Sequence, residues 1–207
     1  AMGNNTFQGG VFNVQALPSL LVTGFTAWSY LQYPNSWFTQ QTYYNTMSGP
    51  LSGIGEASTG GTSGVGVVWN PVDSYSGQAW LYNFTDDANR AYVDNSYHVQ
   101  MNKVFSWDFA AQGFMERSSG LTLTNQTSLP GQTTPAGDVS SNGVGGKIAL
   151  NIANNTSSIS YNNIFGANGS YLNGGMVTPY TYGMEADPLY TTPALTSLAE
   201  LGSGQAY

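Results

Sequence analysis

His98 is the one histidine of the chain, and Asp94 lies four positions before it. A histidine beside a carboxylate can serve as base to a nucleophilic serine, but no serine motif accompanies this pair, so a triad has no support. Metal ligation by imidazole needs further nitrogen or thiolate donors, and the chain has neither a second histidine nor any cysteine. Asp86, Asp87 and Asn89 gather oxygens in one short segment without the spacing of a calcium loop. Glu185 and Asp187 beside Pro188 are a carboxylate pair of the kind glycosidases use, but that chemistry depends on a spatial separation the sequence does not give. No catalytic residue, metal or cofactor is expected. On a wet surface, His98 would change the local charge by taking a proton below about pH 6.5.

The segment that carries these residues is ordered by parity. From Tyr92 the even positions are Tyr92, Asp94, Ser96, His98, Gln100 and Asn102, and the odd ones Ala91, Val93, Asn95, Tyr97, Val99 and Met101. Past a tight break at Asn102-Lys103, Ser106, Asp108, Ala110 and Gln112 alternate with Phe105, Trp107, Phe109, Ala111 and Gly113. Side chains of a strand point to opposite faces in turn, so this pattern predicts a hairpin with one wet and one oily face. In a soluble sandwich the oily face packs on a second sheet. In a membrane barrel it meets lipid, and the polar face lines a channel.

Composition narrows the classes. Of 207 residues only 7% are charged while 14% are aromatic, and glycine numbers 26. Disordered chains are poor in aromatic and β-branched residues, so an all-β protein with long polar loops fits better. The net charge of −7 has no basic run within it, which argues against a nucleic-acid partner. No run of about 18 apolar residues is present, which excludes a spanning helix but not a spanning strand. No signal peptide is recognisable at Ala1-Met2-Gly3. Asn-x-Ser/Thr sequons at Asn4, Asn83, Asn125, Asn154, Asn155 and Asn168 are what Asn- and Thr-rich sequence produces by chance.

Taken in order, the chain reads as eight strands and a stub: 6–16, 20–32, 63–72, 77–85, a fifth and a sixth ending near Glu116, 143–153, an eighth ending near Phe165, and an opening at Ser203. Short turns at Leu17 to Ser19, Asp73 to Ser76, Asn102-Lys103 and Asn154 to Thr156 alternate with longer connections. Three of these, near 33–62, 117–142 and 166–202, far exceed an ordinary hairpin loop. In an up-and-down meander, alternate connections emerge at the same end. Long loops at one end and tight turns at the other are the layout of outer-membrane barrels.

The segment AWLYNFTDDANRAYVDNSYHVQ resembles the OprD-type family of outer-membrane porins, with its aromatic-rich strand, acidic turn and Tyr- and Asp-bearing strand. NTFQGGVFNVQALPSLLVTGFTAW is similar to an early strand pair of such proteins, and GGKIALNIANNTSSISYNNIFGANG followed by GGMVTPYTYGMEADPLYTT to a later hairpin and loop. Those barrels are roughly twice as long as this chain, in keeping with the 16–18 strands of a water-filled porin, so the resemblance implies an internal portion of a larger barrel. It also implies a bacterial outer-membrane channel for passive diffusion of small hydrophilic solutes, with outer-membrane lipid around it. The family's ladder of basic wall residues has no counterpart among four Lys and Arg, so a preference for anions has no support, and the few wall charges, mainly acidic, favour neutral or cationic solutes. Oligomeric state is left open.

On this reading Asp94, Ser96, His98, Gln100, Ser106, Asp108, Gln112, Lys147 and Asn151 line the pore, and Ser158, Ser160 and Asn162 join them by parity. Trp80, Phe84, Tyr97, Phe105, Trp107 and Phe109, with Tyr82 beside them, are the expected membrane-facing aromatics. The alternative is a soluble surface β-sandwich, an adhesin or carbohydrate-binding module, in which the polar rows are an ordinary wet face and the aromatics a core.

Overall fold

The computed structural model describes residues 6–31, 38, 41–42, 57–58, 61–120, 138–170, 174–176, 189–191 and 204–206. The early strands are β1 (Thr6–Leu17), β2 (Leu20–Leu31), the short β3 (Gln41–Thr42) and β4 (Ala57–Ser58), and β5 (Thr62–Val72). They are followed by β6 (Tyr75–Phe84), β7 (Ala88–Gln100), β8 (Phe105–Ser118), β9 (Ser140–Ile152), β10 (Asn155–Gly166) and β11 (Gly204–Ala206). Eight long strands and β11 form one antiparallel sheet in the order β1-β2-β5-β6-β7-β8-β9-β10-β11. Apart from the β3-β4 ladder, each strand in this meander pairs with the next along the chain.

Tight connections fall at Pro18–Ser19, Asp73–Ser74, Met101–Val104 and Ala153–Asn154, all at one end of the sheet. The break read at Asn102-Lys103 is a four-residue loop. Asn102 holds it, its side-chain oxygen accepting from the backbone N–H of Val104 at 2.9 Å and of Phe105 at 3.0 Å. Pro71 has no N–H to give a ladder, and it lies inside the register shift between Trp69 and Val72. At the opposite end Asp86 turns the short β6-β7 connection with φ of 63°, a conformation that Asp tolerates better than most residues.

The sheet has one apolar face open to its surroundings. Register places Phe12, Val14, Val65, Leu81, Val93, Tyr97, Phe109, Met115, Val144, Ile148, Ile152, Ile159, Tyr161 and Phe165 on it. All are exposed, Leu81 at 59% and Ile159 at 79%. A β-sandwich would cover this face with a second sheet. Among the described residues the only other sheet is the two-residue ladder of β3 and β4. The sandwich alternative is corrected accordingly: the chain is part of an up-and-down barrel sheet, and its buried cluster lies on the other face.

That cluster consists of Tyr92, Phe114, Ile164, Met176 and Leu189, with Trp80 and Tyr82 packed against it. Met176 and Leu189 come from the connection after β10 and lie on the face that also carries Asp94 and Gln112. The parts of this connection at Met176 and Leu189 therefore lie over the polar side of the sheet.

Candidate functional site: the inner wall

The registers of β6 through β10 arrange this inner face in rows that run across the strands. Nearest the tight turns are Gln100, Ser106, Asn151 and Thr156, followed by His98, Asp108, Ala149 and Ser158. Ser76, Ser96, Ala110, Lys147 and Ser160 make the next row. Gln78, Asp94, Gln112, Gly145 and Asn162 follow, and beyond them Trp80, Tyr92, Phe114, Gly143 and Ile164. Nearer the long loops come the row of Tyr82, Arg90, Glu116 and Ser141 and then that of Phe84, Ala88 and Ser118. All nine residues assigned to a pore wall from sequence share this face, as do Ser158, Ser160 and Asn162.

The aromatic assignment divides. Tyr97, Phe105, Trp107 and Phe109 lie on the outer face, where Trp107 stacks on Phe109 at 6.3 Å and meets Phe105 edge-on at 5.9 Å. Trp80 and Phe84 do not lie there, and this is a correction. Trp80 pairs with Tyr92 and Phe84 with Ala88, which puts both on the face of Asp94. The parity of β6 runs Gln78, Trp80, Tyr82, Phe84 on one side and Gly77, Ala79, Leu81, Asn83 on the other. Both sides are mixed, so alternation alone could not tell in from out. The missed signal was in β5, where Gly64 and Gly66 leave space opposite Tyr82 and Trp80.

At the tight-turn end His98 Nδ1 lies 2.6 Å from Asp108 Oδ1, and Asn151 Nδ2 donates to Asp108 Oδ2 at 2.6 Å. His98 Nε2 is 3.1 Å from Gln100 Oε1. Both partners of the His98–Asp108 pair are partly open to solvent, and an exposed pair of this kind contributes little to stability. Both imidazole nitrogens are thus engaged, and these side chains hold one another in place as a hydrogen-bonded cluster.

In the middle of the wall the Tyr92 hydroxyl is 2.9 Å from Asp94 Oδ2 and 3.1 Å from Gln112 Oε1. It has one proton for two oxygens, and the charged acceptor makes the stronger bond. The long connection reaches the same place. Asn162 is fully buried, and its Oδ1 accepts from the Thr191 backbone N–H and hydroxyl, each at 3.1 Å. Tyr190 faces Asp94; burial first, then the nearby carboxylate, raises the pKa of its hydroxyl. A loop segment is thus tied to the wall beside a carboxylate.

At the long-loop end Glu116 Oε1 accepts from Arg90 Nη2 at 2.9 Å and from Nε at 3.0 Å. The pair is buried, with Arg90 at 8% and Glu116 at 0% exposure. The guanidinium also lies 5.1 Å from the centre of the Phe84 ring. On the described strands the inner-face acids are Asp94, Asp108 and Glu116 and the permanent cations Arg90 and Lys147. With Arg90 and Glu116 cancelling, the wall carries a small excess of carboxylate.

No group of three or more metal-ligating side chains occurs among the described residues, and the Asp86, Asp87 and Asn89 segment forms no such group. Glu185 and Asp187 lie outside the described residues.

No protein-family model matches the chain, and no curated protein matches it in sequence. Solved structures match it closely in fold. OccK9 (OpdG) of Pseudomonas aeruginosa superimposes with a TM-score of 0.70 at 16% identity, over 91% of this chain and 41% of that one. OccAB3 of Acinetobacter baumannii gives 0.66 at 17% identity, over 85% and 38%. OpdK of Pseudomonas aeruginosa, crystallised with vanillate, gives 0.66 at 13% identity, over 86% and 41%. These are outer-membrane porins of the OprD/Occ family, and the resemblance read from the sequence holds at the level of fold. The chain spans about two fifths of the length of the structures it matches.

Proposed function

We propose, from a fold shared with the OprD/Occ porins, that this chain builds part of the wall of a bacterial outer-membrane channel. The channel passes small hydrophilic solutes by passive diffusion, without covalent chemistry. The face of Asp94, His98 and Lys147 borders water, and the face of Val93, Ile148 and Ile159 meets the acyl chains. One observation carries this reading. Among the described residues nothing covers the apolar face of the eight long strands, while the polar face receives a loop segment that Asn162 anchors.

In a porin the solute is sorted by the narrowest part of the passage and by the charges and hydrogen-bonding groups there. Tyr190 and Thr191 bring the loop to the row of Asp94, Gln112 and Asn162, which makes that row the candidate constriction. Its net carboxylate favours neutral and cationic solutes over anions. The test is reconstitution of the full-length protein into planar bilayers. Discrete conductance steps with a reversal potential on the cation side support the reading; strong anion preference contradicts the charge assignment, and absence of conductance contradicts the channel itself.

A further inference from the structure

The proposed channel accounts for the polar rows of the wall but gives no role to the aromatic residues among them. Resting on that reading, we propose that Phe25, Trp80 and Tyr82 form a stacking floor for uncharged pyranose sugars, with Gln78 and Asp94 as its hydrogen-bonding edge.

The rings are held flat by what is missing beneath them. Trp80 faces Gly66 across the β5-β6 ladder, and a methyl on Gly66 would fall 2.2 Å from the indole Cδ2. A methyl on Gly64 would fall 2.5 Å from Phe25 Cε1 and 3.1 Å from Tyr82 Cδ1. Trp80 and Phe25 therefore lean over the glycine backbone of β5, with Tyr82 Cδ1 at its margin, while Trp80 and Tyr82 also pack against the cluster of Tyr92, Met176 and Leu189. All three residues are half-buried, unlike the sealed Tyr92 and Phe114 next to them.

The rings also make one continuous surface. Trp80 and Tyr82 lie 5.6 Å apart with planes within 15°, and Phe25 stands 6.4 Å from Trp80 and 6.1 Å from Tyr82, tilted by 56° and 57°. Trp80 is fixed by its Nε1–H, which donates to Gln78 Oε1 at 2.9 Å. The next row towards the tight turns carries Gln78 and Asp94, so an amide and a carboxylate border the aromatic surface on adjacent strands.

An apolar floor edged by acceptors and donors matches a solute with one face of C–H groups and a rim of hydroxyls, which is the surface of a pyranose ring. Aromatic carboxylates would also stack, but they need a free cation nearby. Arg90, the cation nearest the rings, is held by Glu116, and Asp94 would repel an anion.

The experiment measures ion current through the full-length protein in planar bilayers while maltose or vanillate is added, for the native protein and for Trp80→Ala and Trp80→Phe. The expected result is that maltose blocks the native channel, that Trp80→Ala raises the half-blocking concentration roughly three- to tenfold, and that Trp80→Phe restores most of the block. Native conductance without sugar certifies that each variant is folded. A conducting channel that maltose does not block, or blocks equally in Trp80→Ala, overturns the sugar floor and leaves the channel standing. Block by vanillate in preference to maltose overturns the ligand class, and a protein that never conducts removes the reading on which the floor rests.

Discussion

Arg90 and Glu116 stand directly opposite each other on β7 and β8, with guanidinium Nη2 2.9 Å from carboxylate Oε1 and both side chains withdrawn from solvent. Removing one partner of such a pair strands a buried charge, at a cost of about 3–5 kcal/mol, whereas replacing both with apolar residues of similar size is often neutral. Glu116→Leu alone is therefore expected to destabilise the folded protein by about 3–5 kcal/mol, and Arg90→Met with Glu116→Leu to recover most of that loss. Urea-dependent unfolding in lipid vesicles measures both. Equal loss in the single and double variants would show that the pair's charge balance is unimportant.

The outer face should reject charge according to depth. Val93 is near the middle of β7 and exposed on the apolar side, so Val93→Arg should cost about 2–4 kcal/mol in vesicles, the range for an arginine at the midplane of a barrel's lipid face. Ser96→Arg, on the inner face, should cost far less. Comparable losses would mean that the two faces do not differ in solvent.

Asn162 ties the loop to the wall through two hydrogen bonds to Thr191. In Asn162→Ala the Thr191 N–H and hydroxyl lose their acceptor, a loss of about 1–3 kcal/mol felt in the loop. Open-channel recordings should show larger current noise with the mean conductance raised. Recordings identical to those of the native protein would mean that the loop does not narrow the passage.

Asp94 is the carboxylate at the candidate constriction. Asp94→Asn should move the reversal potential in a salt gradient towards anions by more than Asp108→Asn, because Asp108 shares its charge with His98 and Asn151. A larger effect at Asp108 would place the selective point near the tight turns.

Much of this arrangement was legible in the sequence wherever parity separated residue types cleanly. Tyr92 to Met101 and Phe105 to Gly113 each carry one polar and one apolar row, so their faces followed directly. Even Arg90 with Glu116 could have been found by counting outward from the Met101–Val104 turn. β6 was different. Trp80, Tyr82 and Phe84 occupy one parity, and aromatic rings suit lipid, a loop anchor or a sugar equally well. Only the register to β5 and β7, set by the 85–87 turn and the shift at Pro71, decides the side. The return of Met176, Leu189 and Thr191 had no local sign, because contacts between distant segments leave no periodicity.

The two faces can be told apart most directly by cysteine accessibility, since these 207 residues contain no cysteine. Single variants Ser96→Cys and Ser160→Cys on the inner face, and Val93→Cys and Ile148→Cys on the outer, are reconstituted and treated with a charged, water-soluble thiol reagent. The prediction is rapid labelling with a drop in conductance at 96 and 160, and almost no labelling at 93 and 148 until the membrane is dissolved. Rapid labelling at 93 and 148 in intact bilayers would contradict the assignment of that face to lipid, and with it the channel.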